Sequence, residues 1–88
     1  MIWAVKLDDR ARRELCKLDA LAQSNILKYL RERIATNYDP KRFGKSLSYD
    51  KYGLWRYRVG NYRILCRIDE EESSVLVVAV GHRKDIYV

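Results

Sequence analysis

The sequence predicts a small α+β domain in which an N-terminal strand and a helical hairpin precede a three-stranded antiparallel sheet. Three observations carry this. Helical spacing of apolar residues is confined to the stretch from residue 9 to about 35. Strand-like alternation and a β-branched run fill residues 54–80. A Gly60-Asn61 pair divides the first part of that stretch into two runs of hairpin length.

Ile2 to Leu7 alternates, with Trp3, Val5 and Leu7 on one face, and reads as a first strand. Asp8 or Asp9 then offers a cap for a helix carrying Ala11, Leu15 and Leu18. Asp19 caps a second helix, whose stripe is Leu27, Leu30 and Ile34 with Ile26 beside it. Asn37 to Asp50 breaks the periodicity, holds Pro40 and Gly44, and reads as a connecting loop. Leu54 to Val59 and Tyr62 to Ile68 are strands. Gly at the first central position suits a type II′ turn between them. Asp69 to Ser74 is an acidic turn. Val75 to Val80 reads as a strand buried on both faces. The order is β-α-α-β-β-β, with the helices on one face of the sheet and the first strand at its edge.

The 88 residues suffice for one domain, spanning 1–88, with a thin core. Apolar residues make up 48%, which argues against disorder, and the net charge of +6 favours a polyanionic partner. Cys16, Cys66 and His82 fit no zinc spacing, so neither metal nor cofactor is expected. Met1 to Leu7 is too short for a secretory leader, and no apolar run is long enough for a membrane span. These features predict a cytoplasmic chain with reduced thiols and no membrane partner.

The hairpin carries the functional signal. A two-residue turn pairs Val59 with Tyr62, so Arg58 opposes Arg63, Tyr57 opposes Ile64 and Arg56 opposes Leu65. Opposed residues share a face. One face then holds Trp55, Tyr57, Val59, Tyr62, Ile64, Cys66 and Ile68 and packs on the helices. The other holds Arg56, Arg58, Arg63 and Arg67, with Leu54 and Leu65 among them. Like charges opposed across a sheet destabilise it, and arginine grips phosphate in bidentate fashion. The arginine face is therefore a candidate phosphate-binding surface. Arg83 joins it if the last strand pairs Arg63 with Ala79; a one-residue slip brings His82 there instead. Lys41, Arg42 and Lys45 add basic groups in the loop. Leu54 and Leu65 beside the arginines suit an acidic, amphipathic partner segment that folds on binding.

At these residues the chain resembles a known family. Gly53-Leu54-Trp55-Arg56-Tyr57-Arg58-Val59-Gly60-Asn61-Tyr62-Arg63-Ile64 resembles the central hairpin of RelE-type toxins, in the RelE/ParE superfamily. Val80-Gly81-His82-Arg83-Lys84-Asp85-Ile86-Tyr87 resembles their C-terminal signature, and Asp39-Pro40, Gly44 and Leu47 also match. The resemblance implies the toxin of a type II toxin–antitoxin pair. Such toxins cut mRNA in the A site of the 70S-type ribosome, without metal, by 2′-hydroxyl attack that leaves a 2′,3′-cyclic phosphate. It further implies a RelB-like antitoxin that wraps the toxin, and operator DNA bound only through the complex.

Within the resemblance, Arg63 matches the arginine that grips the phosphate, Arg83 the one assigned as general acid, and Tyr87 the tyrosine that orients a base. Arg56 and Arg58 stand where the best-known member has two lysines, one of them assigned as general base. Arginine effectively cannot give up its proton. Arg56 and Arg58 therefore suit stabilisation of the phosphorane; the base is then another group, with His82 and Tyr87 as candidates, or the ribosome and the RNA supply more of the chemistry. Lys41, Arg42, Lys45 and Arg67 fill out the predicted phosphate-binding set. The other reading is a ParE-like toxin, which shares the fold and inhibits DNA gyrase without cutting RNA.

Overall fold

Two aspartates start the two helices. Asp8 Oδ1 accepts the Ala11 amide at 2.8 Å, and Asp19 Oδ1 accepts the Ala22 amide at 2.7 Å. Each such cap stabilises by about 1 kcal/mol. In this computed structural model, which describes residues 1–47 and 53–84, α1 is Asp9–Cys16 and α2 is Ala20–Tyr29. The second helix widens into a π-helical turn, Leu30–Ile34, closed by the Ala35 amide on the Leu30 carbonyl at 2.8 Å. The buried stripe is Ala22, Ile26, Leu30 and Ile34. This corrects the expected one: Ile26 is fully buried, while Leu27 is 41% exposed. A spacing of four keeps one helix face inward, and Leu27 falls just off it.

The sheet has five strands in the order β1-β5-β4-β3-β2. β1 (Ala4–Leu7), β3 (Leu54–Val59), β4 (Tyr62–Asp69) and β5 (Ser74–His82) are the expected strands. The fifth is β2 (Lys45–Ser46), inside the stretch read as a loop. It pairs with β3 and follows a 3-10 turn at Pro40–Arg42. Residues 48–50 of that stretch lie outside the described residues. The turn and β2 are pinned from beneath. Tyr57 Oη donates to the Pro40 carbonyl at 2.6 Å, and Trp55 Nε1 donates to the Phe43 carbonyl at 2.7 Å. Gly44 sits at φ +78°, where a Cβ would overlap the Arg56 carbonyl and lie 2.7 Å from Trp55 Nε1. Only glycine fits there without strain.

β3, β4 and β5 are antiparallel, and β1 joins the outer side of β5 in parallel. The hairpin register is the expected one, with Arg58 opposite Arg63 and Tyr57 opposite Ile64. Gly60 has φ +57° and Asn61 has no positive φ, the sign pattern of a type II′ turn. Along β5 the register steps by one, because Leu65 opposes Ala79 whereas Cys66 opposes Val77. Val78 is therefore a bulge. It replaces the expected strand buried on both faces: Val75, Val77 and Val80 are buried, while Leu76 and Val78 are half-buried.

Both helices cover one face. Ala11, Leu15, Ile26, Leu30 and Ile34 pack on Tyr57, Ile64, Cys66, Val75, Val77 and Val80. Beyond the end of β1, α1 reaches the outer side of β5 directly: Glu14 Oε1 accepts the Val80 amide at 3.0 Å. A side chain thus satisfies a ladder amide that no strand meets there. No helix among the described residues is long and apolar enough to cross a membrane.

Candidate nucleic-acid interface

The face of the sheet away from the helices is read row by row from the strand register. One row is Leu54, Arg67, Leu76 and Lys6. The next is Lys45, Arg56, Leu65 and Ala79. The third is Arg58, Arg63 and Gly81. At the hairpin tip the Arg83 amide donates to the Asn61 carbonyl at 2.8 Å, carrying the ladder one step past β5. Arg63 therefore meets Gly81, not Ala79. That is a two-residue offset from the expected pairing, and it keeps the same face. Arg83 itself stands in the turn after β5, next to the hairpin tip.

Arg56, Arg58, Arg63 and Lys45 gather toward the tip, with Arg83 at its edge. Arg67 does not join them. It lies four residues along β4 from Arg63, about 13 Å at the usual rise of a strand. It lines a cavity of about 520 Å³ with Lys41, Asp69, Glu70 and Glu71. Lys41 is tied to Glu70 at 3.2 Å. The acidic turn after β4 therefore reaches back to Lys41 and Arg67, and the predicted phosphate-binding set divides into two ends of opposite character.

Arg63 is the one buried charged residue among those described, at 6% exposure. Its Nη1 donates to the Gly60 carbonyl at 3.2 Å and to the Tyr62 carbonyl at 3.1 Å. No side-chain nitrogen among the described residues is both fully buried and without a partner, so its remaining N–H groups reach solvent. No carboxylate pairs with Arg58, Arg63 or Arg83 among the described residues. A guanidinium held by carbonyls in a partly desolvated seat keeps an uncompensated positive field. That seat suits an oxyanion.

His82 is a correction. It opposes Tyr62, with the two rings edge to face at 5.7 Å, on the helix side of the sheet. Its Nδ1 accepts the Lys84 amide at 3.2 Å. It lines a cleft with Arg10, Glu14 and Lys17 and is turned away from the arginine row. The one-residue slip that would have brought it across does not occur. Tyr87 lies outside the described residues. No three His, Cys, Asp or Glu side chains cluster as metal ligands among the described residues. Arg42 is placed by stacking, 4.6 Å from the Tyr38 ring centroid and 4.7 Å from that of Phe43. Arg33 lies 5.4 Å from Phe43 and 5.8 Å from Tyr29. Sequence reasoning left out Arg33, Tyr38 and Tyr29. The signal available for Tyr38 was the pair of basic residues, Lys41 and Arg42, bracketed by the aromatic Tyr38 and Phe43; nothing comparable marks Arg33 or Tyr29.

Burial pushes the Cys66 thiol up to about 12 and raises the Tyr57 and Tyr29 hydroxyls. These groups lie on the helix side and are inert at neutral pH.

A family model described as the ParE toxin of the type II toxin–antitoxin system parDE matches residues 5–87. The chain belongs to the RelE/ParE superfamily of type II toxins. Toxin RelG of Mycobacterium tuberculosis is 34% identical over 87 residues, which are 99% of this chain and 98% of RelG. The toxin also resembles a chain in the RelBE2 toxin–antitoxin complex of that organism. There the TM-score is 0.84 at 32% identity, over 97% of this chain and 95% of that one. The isolated Escherichia coli RelE toxin has the same fold, with a TM-score of 0.71 at 22% identity, covering 97% of this toxin and 90% of RelE.

Proposed function

We propose that this toxin is a cytoplasmic, ribosome-dependent endoribonuclease that cuts mRNA in the A site. The observation that carries the reading is the Arg63 seat: a buried guanidinium held by two hairpin carbonyls, with no carboxylate paired to it among the described residues. A phosphodiester there supplies the missing anion. The 2′-oxygen of the preceding ribose attacks phosphorus, the bond to the 5′-oxygen breaks, and a 2′,3′-cyclic phosphate remains. The pentavalent intermediate gathers negative charge, and Arg63, Arg58 and Arg56 offset it. Arg83, at the tip, hydrogen-bonds the departing 5′-oxygen and delivers the proton it takes up on leaving, regained afterwards from solvent. No step draws on a metal or cofactor. With His82 on the far face, the 2′-hydroxyl proton goes to Tyr87 or to a group of the ribosome or RNA.

Induced expression followed by 5′-end mapping of transcripts tests this. Cuts within A-site codons, abolished by combining Arg63→Ala and Arg83→Ala, are the expected result. A double mutant that still arrests growth overturns the site.

The partner that neutralises the toxin is a RelB-like antitoxin, as in the RelBE2 complex to which the fold is similar. Leu54, Leu65 and Leu76 interleave with arginines on the open face, which suits an acidic, amphipathic segment. Operator DNA is then bound by the complex. A second reading is favoured by the family model, whose description names parDE. It is gyrase inhibition without RNA cleavage, and gyrase-dependent DNA breaks with intact transcripts would select it.

A further inference from the structure

Beside the arginine row, the chain builds a second feature that the proposed cleavage does not use. Five side chains alternate ring and cation: Tyr38, Arg42, Phe43, Arg33, Tyr29. The Arg42 guanidinium lies between Tyr38 and Phe43, at 4.6 and 4.7 Å from their centroids. The Arg33 guanidinium reaches Phe43 and Tyr29 at 5.4 and 5.8 Å, and those two rings meet edge to face at 6.4 Å. Consecutive segments of one stretch supply these groups: Tyr29 ends α2, the π-helical turn holds Arg33, the loop after it carries Tyr38, and the 3-10 turn ends at Arg42 with Phe43 next. Tyr38 is 63% exposed, so one ring face is backed by a cation and the other is open to solvent.

The ladder is continuous with the arginine row. A cleft of about 210 Å³ is lined by Tyr29, Phe43, Gly44, Lys45, Arg56 and Arg58. It lies where β2 begins and the edge of β3 stands open at Arg58. One basic track thus runs from Arg63 and Arg58, around the sheet edge, to Arg33, Arg42 and Tyr38. Exposed aliphatic side chains, which a partner helix would need, are missing from its lining. Rings backed by guanidiniums suit nucleobases, because every base offers a π-face.

We propose that this track holds the single-stranded RNA that flanks the scissile phosphodiester, with a base stacked on Tyr38 and the strand's phosphates against Arg42 and Arg33. The inference rests on the nuclease reading for the identity of the strand.

The test is fluorescence anisotropy of the full-length toxin with a labelled single-stranded RNA of about 12 nucleotides, within the range such grooves cover. Tyr38→Ala is expected to weaken binding about tenfold, as loss of one stacked base does. Its salt dependence should be unchanged, because no phosphate contact is lost. Arg42→Lys, which keeps the charge but not the plane, should weaken binding comparably. Arg58→Ala serves as the reference for the open face. Tyr38 is too exposed for its removal to threaten the core, and far-UV circular dichroism checks this. Wild-type affinity in Tyr38→Ala and Arg42→Lys, with weakening only in Arg58→Ala, overturns the ladder and leaves the nuclease reading standing. No RNA binding, or no effect of any of the three, overturns the ladder, while the nuclease reading stands or falls separately on the mapping of A-site cuts. On programmed ribosomes, 4-thiouridine in the mRNA flank should crosslink to residues 38–43. Crosslinks of that segment to ribosomal RNA alone would remove the assignment to the substrate strand.

Discussion

Arg58 and Arg63 stand directly opposite each other across the β3–β4 ladder, one exposed and the other buried. Two like charges in register work against the hairpin, by roughly 0.2–1 kcal/mol on the scale of cross-strand pairs. Replacing Arg58 with Leu should therefore raise stability by a few tenths of a kcal/mol or more while lowering toxicity. Urea denaturation and a growth-arrest assay on the same variant check both halves. A variant that is less stable would show that the pair is not in conflict.

Gly44→Ala should destabilise the fold by about 3 kcal/mol, through φ strain and the overlap with the Arg56 carbonyl. The Trp55 indole bond to Phe43 should loosen with it. A fall in the urea midpoint with a red-shifted tryptophan emission is the expected pair of readings.

Removing the Glu14 carboxylate leaves the Val80 amide without its acceptor at the point where β1 ends. Glu14→Ala should cost about 1–3 kcal/mol, the range for an orphaned buried donor. Glu14→Gln keeps an oxygen in place and should recover most of it. Hydrogen exchange at the Val80 amide reports the event directly, and an unchanged protection factor in Glu14→Ala would contradict it.

Alkaline pH should unfold the toxin through Cys66. The native thiol holds its proton up to about 12, against an ordinary value of 9.0. Above pH 9 the unfolded chain therefore binds fewer protons than the native one, and stability falls as pH rises. The contribution is complete below about 9 and lost progressively toward 12. Tyr57 and Tyr29, raised by burial in the same direction, steepen the fall above about 10. Urea midpoints between pH 7 and 11 should decline, and less steeply in Cys66→Ala.

The helix caps, the hairpin register and the two faces of β3 and β4 were legible in the sequence because each depends on neighbours in the chain. Asp8, Asp19 and Gly60-Asn61 are local signals, and period-two alternation does the rest. The register of β5 on β4 was not legible. A bulge at Val78 changes which residues share a face, and a uniform β-branched run does not mark where it falls. The division of the arginine set came from the third dimension. Arg67 and Arg63 share a face by alternation, yet four residues of strand separate them, and the acidic turn folds back to Lys41. The face of His82 was not legible for the same reason, because it depends on the register of β5 on β4. The ladder around Arg42 draws on a π-helical turn that no spacing pattern announces.

Among the described residues the two outermost strands are the shortest, four residues in β1 and two in β2, and each offers a lysine to the rim, Lys6 and Lys45. A sheet bordered in this way gives a second molecule little unpaired backbone to zip onto, and like charges repel any that approaches. A chain released from its inhibitor should therefore stay dispersed as a single molecule instead of polymerising edge to edge.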